Sequence, residues 1–391
     1  MQNSQSHRKI RMGMIGGGQG SFIGAVHRQA AALDGEIELV CGAFSSNADR
    51  SLESGRALYL SDDRIYPSWK EMISKEANLP DDKKMDFVSI VTPNHVHFEP
   101  AKMAIETGFH VMVDKPMCFS LEQSFELEKL VNTHNRLLGL THTYTGYPMV
   151  KEARQIVKKK TFGTIRKVFV EYPQGWLSRN IEQNGQKQAG WRTDPGKSGK
   201  AGCIGDIGTH AANLAEYICG QKITSLSAQL NAVVSDRKLD DDGTILLKFE
   251  NGATGVLMAS QIAAGEENNL KIRVYGEEGS LEWNHADPNS LLIKSLDDPT
   301  KIFRTGVDNE YLSEHALVNT RLPSGHPEGY IEAFANLYRN FALTIRSKIS
   351  GDTIDHALFD FPGVDDGVLG MKFIEYAVAS SAANGAWMTL K

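Results

Sequence analysis

Asp206 and His210 stand four positions apart in the run GDIGTHAANLAEYI, Gly205 to Ile218. On a helix that spacing puts both side chains on one face. A histidine with an ordinary pKa of about 6.5 can be neutral at pH 7 and take a proton, while a carboxylate one turn earlier can orient the imidazole or accept from a hydroxyl. Lys115 lies in DKP, Asp114 to Pro116, directly after a short apolar run. A cation there can stabilise negative charge developing on an oxygen. The run VTPNHVH, Val91 to His97, likewise follows an apolar run directly. Plainer readings stand beside these: His210 as a structural helix residue, and Asp206 as a helix N-cap. His95 and His97 would suggest a metal pair, but no further ligands accompany them at metal-site spacing, so no metal is expected.

The other stretch with chemical promise is KIRMGMIGGGQGSFIGAVHRQAAAL, Lys9 to Leu33. Glycines between a strand and a helix let the backbone approach a pyrophosphate, and the helix N-terminus supplies N–H donors and a favourable dipole. Gly16, Gly18, Gly20 and Gly24 are the candidates for that approach. The spacing departs from G-x-G-x-x-G because Ser21 holds the sixth position, so the turn reads as lengthened, with the helix beginning at Ala25. A mobile glycine loop without a ligand is the alternative. At the end of the second strand, where a carboxylate would accept from an adenosine ribose, stands Ser45. With no acid beside it and Arg50 one helical turn on, the pattern is open to NAD or NADP.

These residues need a scaffold, and the first 140 positions provide a rhythm for one. Apolar runs at Ile10 to Gly16, Ile37 to Phe44, Asp86 to Thr92, His110 to Val113 and Leu137 to His142 alternate with helical patterns. Strands lacking polar alternation, each followed by a helix, imply a doubly wound parallel sheet covered on both faces. After Thr143 the rhythm changes. A helix and a strand lead into a long loop from Pro173 to Lys200, and from Lys222 to Lys294 come four or five alternating strands with turn signals at Asp241-Asp242-Gly243, Asn251-Gly252 and Gly276 to Gly279. This half reads as an open, mostly antiparallel sheet followed by helices, so the chain is an α/β protein with domains at 1–142 and 143–391.

Composition narrows the partners. With 391 residues, 41% of them hydrophobic, and a net charge of -6, the chain has no general attraction for nucleic acid or anionic lipid. No segment reaches the roughly 18 apolar residues of a membrane span, and a cytoplasmic location is expected. Four separated cysteines form no C-x-x-C. A small-molecule substrate is the better expectation.

Taken in order, GGGQGSFIGAVH, TPNHVH, DKP and DIGTH resemble the glucose-fructose oxidoreductase, inositol dehydrogenase and MocA family, over essentially the whole chain. The resemblance implies a Rossmann domain joined to an open-faced α/β domain, and NAD(P)-linked oxidation or reduction of a sugar, cyclitol or related polyol. It assigns Lys115, Asp206 and His210 to the chemistry. Thr92, Pro93 and Asn94 go to the nicotinamide side of the cofactor, with His97 as a further candidate. Asp114 stands where the family has Glu, keeping the charge and shortening the reach. Tyr144, Trp191, Arg192 and His326 are candidate substrate contacts, with Trp176 and Lys200 from the same loop. A homodimer or homotetramer is implied, as is a small-molecule polyol partner. Two rival readings share these residues: a glycoside-cleaving enzyme working through transient oxidation, and a non-catalytic sugar and nucleotide sensor.

Overall fold

The computed structural model describes residues 8–391. Contacts divide it into two compact units. The first runs to Thr143 and takes in Tyr330–Val368; the second comprises Tyr144–Gly329 and Leu369–Lys391.

The first unit is built on five parallel strands: β1 (Ile10–Gly16), β2 (Ile37–Ala43), β3 (Phe87–Val91), β4 (His110–Val113) and β5 (Leu138–Leu140), in the order β2-β1-β3-β4-β5. β3 and β4 are buried along their whole length, as the absence of polar alternation predicts. The order reverses at β1, whose register runs Met12 to Phe87 on one side and Met12 to Leu39 on the other. A ligand crevice in such a sheet opens at the carboxyl ends beside that reversal. Helix Tyr330–Ser350 belongs to this unit although it is late in the sequence. Phe334, Tyr338, Phe341 and Ile345, spaced for one helix face, join Met12, Val26, Ala30 and Phe87 in one core cluster.

The second unit carries a nine-stranded sheet: β6 (Lys167–Pro173), β7 (Ile223–Asn231), β8 (Asp242–Phe249), β9 (Thr254–Ser260), β10 (Lys271–Tyr275), β11 (Gly279–Asn284), β12 (Ser290–Ser295), β13 (Lys301–Arg304) and β14 (Met388–Thr389). Its order is β13-β12-β11-β10-β6-β9-β8-β7-β14, antiparallel throughout except for the parallel pair β6 and β9. Alternate β8 residues are buried and exposed, the signature of a sheet solvated on one face. Asn251-Gly252 makes the β8–β9 hairpin, with Gly252 at φ +87.

Asp241-Asp242-Gly243 is not a turn, because Asp242 and Gly243 begin β8. The preceding acids are there to satisfy backbone: Asp241 accepts from Val233 and Val234, and Asp240 accepts from Gly202 and Ile204. The Pro173 to Lys200 stretch also has structure of its own, with short helices at Lys187–Arg192 and Pro195–Ser198. Among the described residues no helix is long and apolar enough to cross a membrane.

Candidate active site

In the first unit three turns leave the carboxyl ends of adjacent strands. The glycine turn follows β1, with Gly16, Gly17 and Gly20 at φ +80, +71 and +77, a region that L side chains rarely adopt. A Cβ on Gly24 would come 2.3 Å from Gly17 Cα, so only glycine lets the helix pack on the turn this closely. Gly18 is equally confined, by Phe44 O and Ser54 Oγ at 2.8 Å. The helix begins at Phe22 rather than Ala25, because the Ser21 hydroxyl accepts from Gly24 N and caps it. The lengthening of the turn is therefore confined to Gln19–Ser21, held by Ser54 Oγ on Gln19 N and by Gly18 O on Ser21 N.

Two observations fit this turn to a dinucleotide. The first turn of helix Phe22–Leu33 carries no acidic side chain, leaving its positive end to an anion. Beside it, Thr92 Oγ1 is buried with no hydrogen-bond partner among the described residues, while Thr92 Cγ2 lies 3.0 Å from where a Gly16 Cβ would stand. Ser45, just past β2, is half-buried and accepts from Asn47 N. Arg50 is exposed on helix Ala48–Ala57.

The second turn follows β3: Thr92, Pro93 in extended backbone, then the 3-10 turn Asn94–Val96. Asn94 and His97 are buried, whereas His95 is exposed, so the two histidines do not share an environment. The third turn follows β4, where the Lys115–Pro116 bond is cis. Asp114 Oδ1 accepts from Lys115 N at 2.9 Å and from Thr141 Oγ1 at 2.7 Å. Burial pushes the Asp114 carboxyl up, but His27, Lys115, the Thr141 hydroxyl and His97 outweigh it and hold it below the ordinary carboxylate value. The shorter acid thus still props the lysine turn. Burial and the Lys115 charge push His142, two residues past β5, down to about 3.

In the second unit Asp206 is not an N-cap. It lies inside the π-helical turn Ile204–Gly208, which runs straight into helix Thr209–Cys219. Such turns are rare and frequent at functional sites. The end of this segment is capped from a distance by Asp240, on Gly202 N and Ile204 N at 2.7 Å each. Asp206 Oδ2 accepts from Gln261 Nε2 at 2.8 Å and from Arg192 Nε at 3.2 Å. Arg192 also donates to Gln188 Oε1 and lies over the Trp191 ring, 4.2 Å from its centroid. His210 is buried, with the edge of the Tyr144 ring set against it at 5.1 Å between centroids.

Tyr144 is itself buried, its hydroxyl bonded to Tyr172 and Asn268. The network continues through Gln174, which bonds Asn268, Gln261 and the Trp176 indole N–H. Gln174, Gln261, Asn268 and Tyr172 have no sequence signal: each is an ordinary residue in a strand or in the loop that follows one, and only the fold gathers them. Two expected members make other contacts. His326 sits in an exposed turn, with Nδ1 3.2 Å from Pro323 O, and Lys200 is paired with Glu375 at 2.7 Å.

Comparison with known proteins matches both units. Residues 10–142 match the oxidoreductase family with an NAD-binding Rossmann fold, and residues 150–282 match the GFO/IDH/MocA C-terminal domain. The chain belongs to the Gfo/Idh/MocA oxidoreductase family. It is an NAD-binding dehydrogenase of that family. The uncharacterized oxidoreductase YfiI of Bacillus subtilis is 31% identical, with 98% of each chain covered. An inositol dehydrogenase homolog from Azotobacter vinelandii, solved with NAD+, is 35% identical with a TM-score of 0.92, 98% of each chain being covered. The same homolog, solved with NADH and myo-inositol, is 34% identical with a TM-score of 0.90 over the same coverage. Levoglucosan dehydrogenase of Pseudarthrobacter phenanthrenivorans is 25% identical over 74% of this chain and 77% of its own.

Proposed function

We propose that this dehydrogenase oxidises a secondary hydroxyl of a sugar, glycoside or cyclitol. The observation that carries the reading is the setting of Asp206 and His210. They stand among neutral amide and phenol groups, Gln174, Gln261, Asn268 and Tyr172, with two indoles on the neighbouring loop. Arg192, the cation in that setting, is already paired with Asp206. Such groups suit an uncharged ring bearing many hydroxyls, since each can donate to or accept from one and the indoles can cover an apolar ring face. The myo-inositol bound by the Azotobacter homolog is a molecule of this class.

Each residue has a role in that reaction. His210 takes the hydroxyl proton as the C–H bond breaks. Asp206, fixed by Arg192 and Gln261, stabilises the imidazolium that results. Lys115 stabilises the oxygen as it becomes an alkoxide. Gly16, Gly18, Gly20 and Gly24 admit the pyrophosphate, and Thr92, Pro93 and Asn94 border the nicotinamide side. NAD, when bound, supplies the hydride acceptor. The solvated face of the nine-stranded sheet is the surface for self-association as a homodimer or homotetramer.

The test is a panel of inositols, hexoses, anhydrosugars and glycosides, with the protein and NAD, followed by absorbance of reduced nicotinamide. Turnover of at least one neutral polyol is expected. NADH binding without turnover of any member would overturn the reading, and aglycone release without NADH release would move it to redox-assisted glycoside cleavage.

A further inference from the structure

The β3–β4 ladder ends at the pair Ile90 and Val113, with a last hydrogen bond from Asp114 N to Ile90 O at 3.0 Å. Beyond it the chains separate into the turn holding Thr92, Pro93 and Asn94 and the turn holding Lys115. His97 spans the gap. Its side chain is fully buried, with Nδ1 2.9 Å from Pro116 O and Nε2 2.7 Å from Thr92 O. One carbonyl is a single residue past Lys115, and the other directly precedes Pro93 and Asn94. With its side chain unexposed, His97 meets its surroundings through the two turns that it lies between.

Burial pushes His97 below its ordinary value, so the ring is neutral at pH 7 and its one N–H donates to one of the two carbonyls, while the rigid ring itself fills the space between them and sets their separation. We propose that His97 is a positioning residue, its buried ring seated between the Thr92 and Pro116 carbonyls and so fixing Lys115 relative to the turn on the nicotinamide side. The chemistry tolerates little slack here, because misplacement by about 1 Å can cost about a hundredfold in rate. The inference rests on the role given to Lys115 above.

Two variants separate positioning from bulk stability. His97→Leu keeps volume and removes both ring nitrogens; His97→Gln keeps an amide donor. Each is normalised to folded protein by NADH fluorescence titration. Expected in His97→Leu is a fall in kcat of about tenfold or more, with the KM for polyol and the Kd for NADH within about threefold of wild type. The deuterium isotope effect on kcat should rise, and His97→Gln should recover part of the rate. Independently of turnover, the labelling rate of Lys115 by an amine-reactive reagent, read by mass spectrometry, should change severalfold while that of exposed Lys129 does not. Unchanged Lys115 labelling with wild-type kcat overturns the proposal. If His97→Leu does not fold, labelling and kcat in His97→Gln decide in the same way. If wild-type protein turns over no polyol, the proposed function falls, and Lys115 labelling still decides for or against His97.

Discussion

In the first unit the candidate residues sit in the turns at the carboxyl ends of the strands of one parallel sheet or in the first turn of the helix that follows, and backbone groups do most of the holding. In the second, Asp206 and His210 lie on one helical segment whose surroundings come from β6, β9 and the loops around Trp191 and Asn268. The first arrangement is a cradle whose shape is fixed by glycine conformation and strand order. The second is a hydrogen-bonded cluster of interchangeable polar side chains. The lesson is a division of labour: the NAD-binding unit is constrained by backbone geometry, and the polar cluster of the second unit by side chains that long-range contacts gather.

The largest effects should come from His210 and Lys115, the two residues proposed to act on the reacting oxygen. His210→Ala should lower kcat by about 10²- to 10⁴-fold and leave the Kd for NADH, measured by fluorescence titration, unchanged. Lys115→Ala should lower kcat by about 10²- to 10³-fold, with a weaker hold on NADH as well, because Lys115 belongs to the nucleotide unit. Wild-type kcat in either variant would break the assignment. A loss of NADH binding in His210→Ala would break the division itself.

A matched pair of milder substitutions sharpens it. Gly24→Ala drives a Cβ against Gly17 backbone at 2.3 Å, which cannot swing aside as a side chain could. An overpacking cost of about 1–3 kcal/mol should raise the Kd for NADH by about tenfold or more and lower the Tm, with the KM for polyol little changed. Gln261→Ala removes a donor from the partly buried Asp206 carboxylate. Losing a hydrogen bond to a charged group, about 1.5–3 kcal/mol, should lower kcat/KM for polyol by about 10- to 100-fold with NADH binding intact. Steady-state kinetics with each substrate varied in turn would show crossed effects if the comparison holds, and parallel effects if it does not.

The same contrast explains what could be read from the sequence. The five parallel strands, the glycine turn, the two further turns and the Asp206–His210 spacing were all legible, because each is a local pattern with a local physical cause. Ser21 hid the helix start: its cap belongs to the turn that the glycine spacing made look longer. Asp241-Asp242-Gly243 was misread as a turn because acids and glycine together signal one, and the backbone amides that Asp240 and Asp241 serve lie in other segments. Helix Tyr330–Ser350 showed its amphipathic face at Phe334, Tyr338 and Phe341, but nothing local says which sheet that face covers. Gln174, Gln261 and Asn268 were invisible for the same reason, since their meaning lies in long-range contacts.

Acidification should also tell the units apart, with the smallest effect of the set. Burial pushes four first-unit histidines down, His97 and, with larger shifts, His27 to about 4, His110 to about 3 and His142 to about 3, against an ordinary value of 6.5. Below pH 6.5 the unfolded chain takes up protons that the folded unit refuses, so these groups remove stability as pH falls through that window. In the second unit burial pushes Asp240 up to about 6 from 3.8. There the folded state binds the extra proton, so its contribution is lost as pH rises through 6 and is regained on acidification towards 4. Each group changes stability by up to about 1.4 kcal/mol per pH unit within its window. Hydrogen exchange between pH 6.5 and 4.5 should therefore show protection falling faster in β3 and β4 than in β8 and β9. His110→Gln keeps an acceptor for Leu137 N and should flatten the first slope. Asp240→Asn should flatten the second. Equal slopes in both units, untouched by either substitution, would mean that the buried histidines of the nucleotide unit do not set its response to acid.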